Sequence, residues 1–239
     1  MMTGLAIAFG FLTRLPVPRV EPRPGTLADS LKWYPLVGLV LGGLLLGAAT
    51  LLSGALPALP AAAIVLVAWV ALTGALHLDG LADSADAWIG GLGDRARTLA
   101  IMKDPRSGPA GVVSLVLVLL VKFSALATLA DPWVLLLPPL LGRTAIVAWF
   151  LTTPYVRVGG LGDPLCGAPA TGCRVAVILA VLSSLCFGKA GIVALVAAFS
   201  TGWLWRRAVM RRLGGFTGDT AGALVELVEA ATLVTVVLR

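Results

Sequence analysis

Seven apolar stretches of helical length, parted by short turn-forming connectors, dominate this chain: Tyr34–Leu56, Ala61–Leu76, Pro109–Leu129, Trp133–Leu151, Val175–Phe187, Ala190–Trp205 and Leu224–Leu238. A water-soluble domain has no core large enough to absorb them. Of the 239 residues, 59% are hydrophobic and only 13% charged, against about 45–50% and about 25% in soluble domains. In hydrocarbon every backbone N–H and C=O must be paired within its own segment, so runs of this kind can only be helices. A full crossing takes about 20 residues, and flanking weakly polar residues are expected to lengthen the shorter runs. The predicted fold class is therefore all-α: a polytopic membrane helix bundle of about seven transmembrane helices, in a single integral membrane domain over residues 1–239. Thr3 to Leu15 is too short to span and stops at Pro16 and Pro18, so an N-terminal interfacial helix is expected there. With no basic segment ahead of it, it does not read as a cleavable signal.

Charge sets the topology. Alternate connectors hold Arg14, Arg19, Arg23 and Lys32; Arg95, Arg97, Lys103 and Arg106; Arg157 and Arg174; and Arg206, Arg207, Arg211 and Arg212. That is 14 of the 18 basic residues on one face, which predicts a cytoplasmic N-terminus and cytoplasmic large loops. The net charge of +6 is spread over these loops, so nucleic acid is not an expected partner. Cys166, Cys173 and Cys186 show neither a disulfide framework nor zinc-ligand spacing. Trp33, Tyr34, Trp203 and Trp205 read as interfacial anchors. Gly38, Gly42, Gly43 and Gly47 suit close helix packing in lipid.

The chemistry-bearing residues gather on the basic side. In His77-Leu-Asp-Gly-Leu-Ala-Asp-Ser-Ala-Asp86, Asp79, Asp83 and Asp86 follow an i, i+4, i+7 pattern, one acidic stripe on a helix. Carboxylates at the edge of hydrocarbon are costly unless neutralised, and a divalent metal bridging them to a phosphate would do so. Mg²⁺ takes oxygen ligands and keeps waters and substrate phosphates in its sphere. Lys103, Asp104 and Arg106 stand just before the third run, Arg157 follows the fourth, and Gly214-Gly-Phe-Thr-Gly-Asp219 opens the seventh. Lys and Arg can clamp phosphate oxygens. Phosphoryl transfer, which asks mainly for positioning and charge neutralisation, uses this inventory. Asp219 on its own reads as a helix N-cap. Lys122, Arg143, Glu226 and Glu229 lie within runs, where mutual ion pairing is the first expectation; Arg143 reads equally well as a substrate contact. His77, the only histidine, fits either a substrate hydrogen bond or a satisfied structural role.

Taken together, Phe11-Leu-Thr-Arg-Leu-Pro-Val-Pro18, Tyr34-Pro-Leu-Val-Gly38, His77–Asp83 with Asp86, Ile101-Met-Lys-Asp104 with Arg106 and Gly108, Gly142-Arg143, and Gly214–Asp219 with Glu226 resemble the cobalamin synthase family, the adenosylcobinamide-GDP ribazoletransferases. The words run in order along nearly the whole chain. Ala87 and Pro105 depart from the common Gly and Ser without removing a charge. The resemblance implies a Mg²⁺-dependent enzyme of late corrinoid assembly, in a bacterial cytoplasmic (inner) membrane. It would join adenosylcobinamide-GDP to α-ribazole or its 5′-phosphate and release GMP. Expected metal ligands are Asp79, Asp83 and Asp86; expected catalytic residues are Asp79, Asp83, Asp104 and Asp219. Expected substrate-binding residues are His77, Lys103, Arg106, Arg143, Arg157, Thr217 and Glu226. Membrane lipids, a second copy of the chain or other late corrinoid-assembly enzymes are candidate partners. The Asp-Gly-x-x-Asp-x-x-Asp spacing is also similar to CDP-alcohol phosphotransferases, though their downstream spacing is missing. A transporter running through the intramembrane charges is the rival of a different class.

Overall fold

The computed structural model describes residues 2–18, 20 and 25–238; Arg19, Arg23 and Arg239, which entered the charge count above, lie outside them. The chain forms helices α1 (Met2–Leu12), α2 (Thr26–Ser30), α3 (Tyr34–Ser53), α4 (Ala58–Thr73), α5 (Leu76–Gly90), α6 (Arg95–Ile101), α7 (Pro109–Ala127), α8 (Leu137–Thr152), α9 (Ala170–Leu185), α10 (Lys189–Leu213) and α11 (Gly218–Val237). Three 3-10 turns, Leu31–Trp33, Pro132–Leu136 and Asp163–Gly167, join them. Among the described residues the sole extended pairing is one parallel bridge between Tyr155 and Phe216.

Each of the seven apolar runs is a helix. Five segments are long and apolar enough to cross a membrane: Thr26–Ser53, Pro109–Ala127, Pro132–Thr152, Lys189–Leu213 and Gly218–Val237. The second and fifth runs differ from expectation. α4 meets the criterion only together with α5, from which it is bent by 88°. α9, at 16 residues, is about 24 Å long, short of the ~30 Å of hydrocarbon. Turn chemistry, not hydropathy, decides both. Gly74 (φ +61°) and Ala75 (φ +59°) are left-handed and end α4, while Pro169 and Gly188 bracket α9 and its closing turn. α5, with Asp79 exposed on it, is not by itself among the five.

α8 and α11 form the interior, each 72% buried over its apolar window, whereas that of α10 is 17% buried and that of α7 22%. α3 lies against α8 through two glycines one turn apart. A Cβ on Gly38 would strike the Pro139 carbonyl, and one on Gly42 would come within 2.8 Å of Leu136 Cα. Gly43 and Gly47 face open space, so half of the expected packing glycines serve that purpose. α1 keeps Ala8 and Leu12 fully buried in a cluster with Leu31, Tyr34 and Val37.

Four buried charges stitch α7, α8 and α11. Lys122 donates to Glu226 (2.6 Å) and Glu229 (2.5 Å), and its ammonium lies 4.6 Å from the Trp69 ring centroid. Arg143 pairs with Glu229 from the other side. These are the four intramembrane charges whose mutual pairing the sequence led us to expect, and they neutralise one another.

Candidate active site

α5 crosses α11 where glycine stands on both helices. A Cβ on Gly80 would come within 2.7 Å of the Asp219 carbonyl, and one on Gly222 within 3.2 Å of Gly80 Cα. This close approach sets the acidic turns of α5 beside the first turn of α11. α11 starts there because Thr217 and Thr220 form a capping box: Thr217 Oγ1 accepts from the Thr220 amide (3.3 Å) and the Thr217 amide donates back to Thr220 Oγ1 (2.8 Å). The N-cap is thus Thr217, correcting the N-cap reading of Asp219. Asp219 is left free to accept from Arg157 Nη1 at 2.5 Å.

Residues of this crossing line a cleft of about 600 Å³. Seven of the expected site residues line it: His77, Asp79, Asp83, Lys103, Asp104, Arg157 and Asp219. Their chemistry is unbalanced, with four carboxylates facing two cations. Burial, then the charges of Asp79 and Asp219, push the Asp83 carboxyl up to about 6; Arg157 pulls the other way and Asp86 adds to the rise. Asp104 is the opposite case. Hydrogen bonds from the Arg106 side chain and backbone hold its carboxyl down at about 2. His77 is buried, and the guanidinium of Arg143 lies 3.4 Å from its Nδ1. A guanidinium can only donate, so Nδ1 accepts and the ring proton sits on Nε2.

Five expected residues are placed elsewhere. Asp86 accepts the amides of Gly108 (2.6 Å) and Gly111 (2.9 Å), one on each oxygen. It caps α7 and does not line the cleft. Arg106 turns outward, its side chain 86% exposed, and spends itself on Asp104. Arg143 and Glu226 belong to the buried ionic network and do not line the cleft. Thr217 is fully buried as the cap. None of these four lines the cleft.

Apolar and aromatic side chains make up much of the remaining lining: Phe11, Leu12, Tyr34, Ile146, Phe150, Leu165, Tyr155 and Phe216. Sequence reasoning missed it. Tyr34, expected as an interfacial anchor, is buried and stacks on the exposed Phe11, 6.4 Å between centroids. Trp205 is no anchor either, since it packs on Trp88 and donates to the Thr220 carbonyl. Tyr155 meets Phe150 and Phe216 at 6.1 and 5.2 Å, and its hydroxyl accepts the Gly162 amide. The Pro154-Tyr-Val-Arg157 word beside Gly159-Gly-Leu-Gly162 was the available signal.

Among the described residues, no three ligating side chains are close enough to make a closed metal cage. The donor set still fits a hydrated divalent cation. Asp79 and Asp83 supply two neighbouring carboxylates in a cleft with surplus negative charge, and Mg²⁺ is usually held by one or two carboxylates plus water and substrate phosphate.

The cobalamin-5-phosphate synthase family model matches residues 4–237. The adenosylcobinamide-GDP ribazoletransferase of Stutzerimonas stutzeri (strain A1501) is 57% identical over 243 residues, covering 100% of this chain and 99% of that protein. The protein of the same name from Pseudomonas syringae pv. syringae (strain B728a) is 56% identical over 97% of this chain and 98% of its own length. That of Pseudomonas aeruginosa (strain PAO1) is 52% identical over 99% and 98%. No solved structure matches the chain. Neither the CDP-alcohol nor the transporter reading gains support. This chain belongs to the cobalamin-5-phosphate synthase family.

Proposed function

We propose that this protein joins adenosylcobinamide-GDP to α-ribazole, or α-ribazole 5′-phosphate, giving adenosylcobalamin or its 5′-phosphate and GMP. The observation that carries the reading is the mixed lining of one cleft: four carboxylates and two cations share it with Phe11, Tyr34, Phe150, Tyr155 and Phe216. Pyrophosphate suits the charged groups and a flat base suits the aromatic ones.

In this reading a ribose hydroxyl attacks the cobinamide-side phosphorus of the donor. The new P–O bond forms as the bond to GMP breaks. Asp79 and Asp83 would hold Mg²⁺, which would supply charge neutralisation to the pyrophosphate. Lys103 and Arg157 draw off the remaining phosphate charge, Arg157 exchanging its Asp219 partner for phosphate. Asp219, released by that exchange, takes the hydroxyl proton, while Asp104, held ionised by Arg106, orients the hydroxyl. His77 Nε2–H donates a hydrogen bond towards the cleft. The bias of 14 basic residues to one face supports an inner-membrane setting with the cleft on the cytoplasmic side.

The test is a reaction of purified protein with adenosylcobinamide-GDP, α-ribazole and Mg²⁺, with nucleotide and corrinoid products identified. GMP and a cobalamin are expected, and GMP release should stop when a chelator removes the metal. Release of CMP from a CDP-linked donor, with no GMP from the corrinoid donor, would overturn the reading.

A further inference from the structure

α10 carries a surface that the cleft chemistry does not use. Ile192, Val196, Phe199 and Trp203 are 53%, 60%, 75% and 49% exposed, and steps of three or four residues put them on one face. Arg207 and Arg211, both exposed, continue the same row. With 25 residues, α10 is about 37 Å long, longer than the ~30 Å of hydrocarbon. The apolar row stops at Trp203, a residue type that favours headgroup level, and the arginines begin there. The Arg207 guanidinium lies 5.8 Å from the Trp203 ring centroid. Trp203, Arg206, Arg207, Met210 and Arg211 line a shallow recess of about 410 Å³.

The arginines of this helix end fall into two groups. Arg206 donates to Thr153 Oγ1 (2.8 Å) and the Thr152 carbonyl (2.7 Å), and Arg212 to the Trp88 carbonyl (3.1 Å). Among the described residues, Arg207 and Arg211 form no ion pair. Two uncompensated guanidiniums at the end of a lipid-facing row call for an anion that also has a hydrocarbon tail. Guanidinium forks match phosphate oxygens, and anionic headgroups attract basic residues at this depth.

We propose that this recess binds an anionic phospholipid, with the headgroup phosphate on Arg207 and Arg211 and an acyl chain along the Ile192–Trp203 row. The occupant borders the active site. Arg206, in the same recess, holds Thr152 and Thr153, and the chain then runs directly into Tyr155 and Arg157 of the cleft wall. A free inorganic phosphate would meet the arginines but leave the row uncovered.

Native mass spectrometry of the full chain in neutral detergent, titrated with phosphatidylglycerol or phosphatidylcholine of the same acyl chains, tests this. Phosphatidylglycerol should be retained at least fivefold better. Arg207→Gln with Arg211→Gln should remove most of that preference. The exposed pair Arg97→Gln with Arg174→Gln should keep it, and GMP release in detergent reports that both proteins are folded. If the double variant does not fold, Arg211→Gln alone should lower retention about twofold. Equal retention of the two lipids, equal loss in both variant pairs, or displacement of the lipid by millimolar inorganic phosphate would each overturn the site.

Discussion

Two clusters of charge sit within one helix bundle, and their balance separates them. The cluster of Lys122, Arg143, Glu226 and Glu229 holds two cations and two anions, all buried and mutually bonded. The cleft holds Asp79, Asp83, Asp104 and Asp219 against Lys103 and Arg157, with Arg106 reaching Asp104 from outside it, so that carboxylates still outnumber cations. A closed set of charges has nothing left to offer a ligand and acts as a clamp between helices. An open set stays costly until something positive and something phosphorylated arrive. Ionisable residues in a membrane chain are thus not all functional sites of the same kind, and the charge sum of the packed group distinguishes them.

The comparison can be broken most severely at Glu229. Glu229→Ala leaves Lys122 and Arg143 short of a partner and should cost about 3–5 kcal/mol, read as a collapse of the unfolding midpoint in detergent or as loss of purified protein. A fully stable, fully active variant would show that the network is no clamp. In the cleft the expectation reverses. Asp83→Asn should lower turnover by about 10²–10³-fold, the range for losing one electrostatic group at a reacting centre, while the protein stays folded. Its thermal midpoint without metal should rise. The folded-state carboxyl is raised to about 6, so the native protein holds this proton more tightly than the unfolded chain. Stability therefore falls as pH climbs from about 4 to about 6. With the partial exposure discounted, the gain in the Asn variant at pH 8 is on the order of 1 kcal/mol, or a few degrees. A lowered midpoint with wild-type turnover would remove Asp83 from the site.

Gly80→Ala sharpens the link between packing and chemistry. The added methyl meets the Asp219 backbone, which should cost about 1–3 kcal/mol and depress turnover together with stability. Gly43→Ala, in open space, is the matched control. The smallest effect is expected at Asp86→Ala, where lost capping of α7 should cost ~1 kcal/mol. The Mg²⁺ concentration giving half-maximal rate should stay unchanged; a large rise in it would place Asp86 at the metal site.

Much of the site was legible because short local spacings carry it. The i, i+4, i+7 aspartates and the Gly214–Asp219 word singled out Asp79, Asp83 and Asp219, which share the cleft, and the pairing of the intramembrane charges followed from the cost of isolated charge in lipid. Asp86 has the spacing of the stripe, whereas its partners, the Gly108 and Gly111 amides, lie more than 20 residues away. The aromatic lining stayed hidden because apolar residues in an apolar chain give no contrast. The 88° bend was missed because Gly74-Ala75 reads as a pause in hydropathy and not as a corner.

What the amino-acid sequence determined alone was the solvent and the menu: lipid around the chain, helices throughout, acids and bases collected on one face. Those outcomes follow from transfer free energies and backbone pairing, which are additive along the chain. Which charges cancel, which carboxylate becomes a cap and which side chains share a cleft were decided only by tertiary packing. Each depends on the close approach of segments such as α5 and α11 that stand more than a hundred residues apart, and local spacing does not encode that approach.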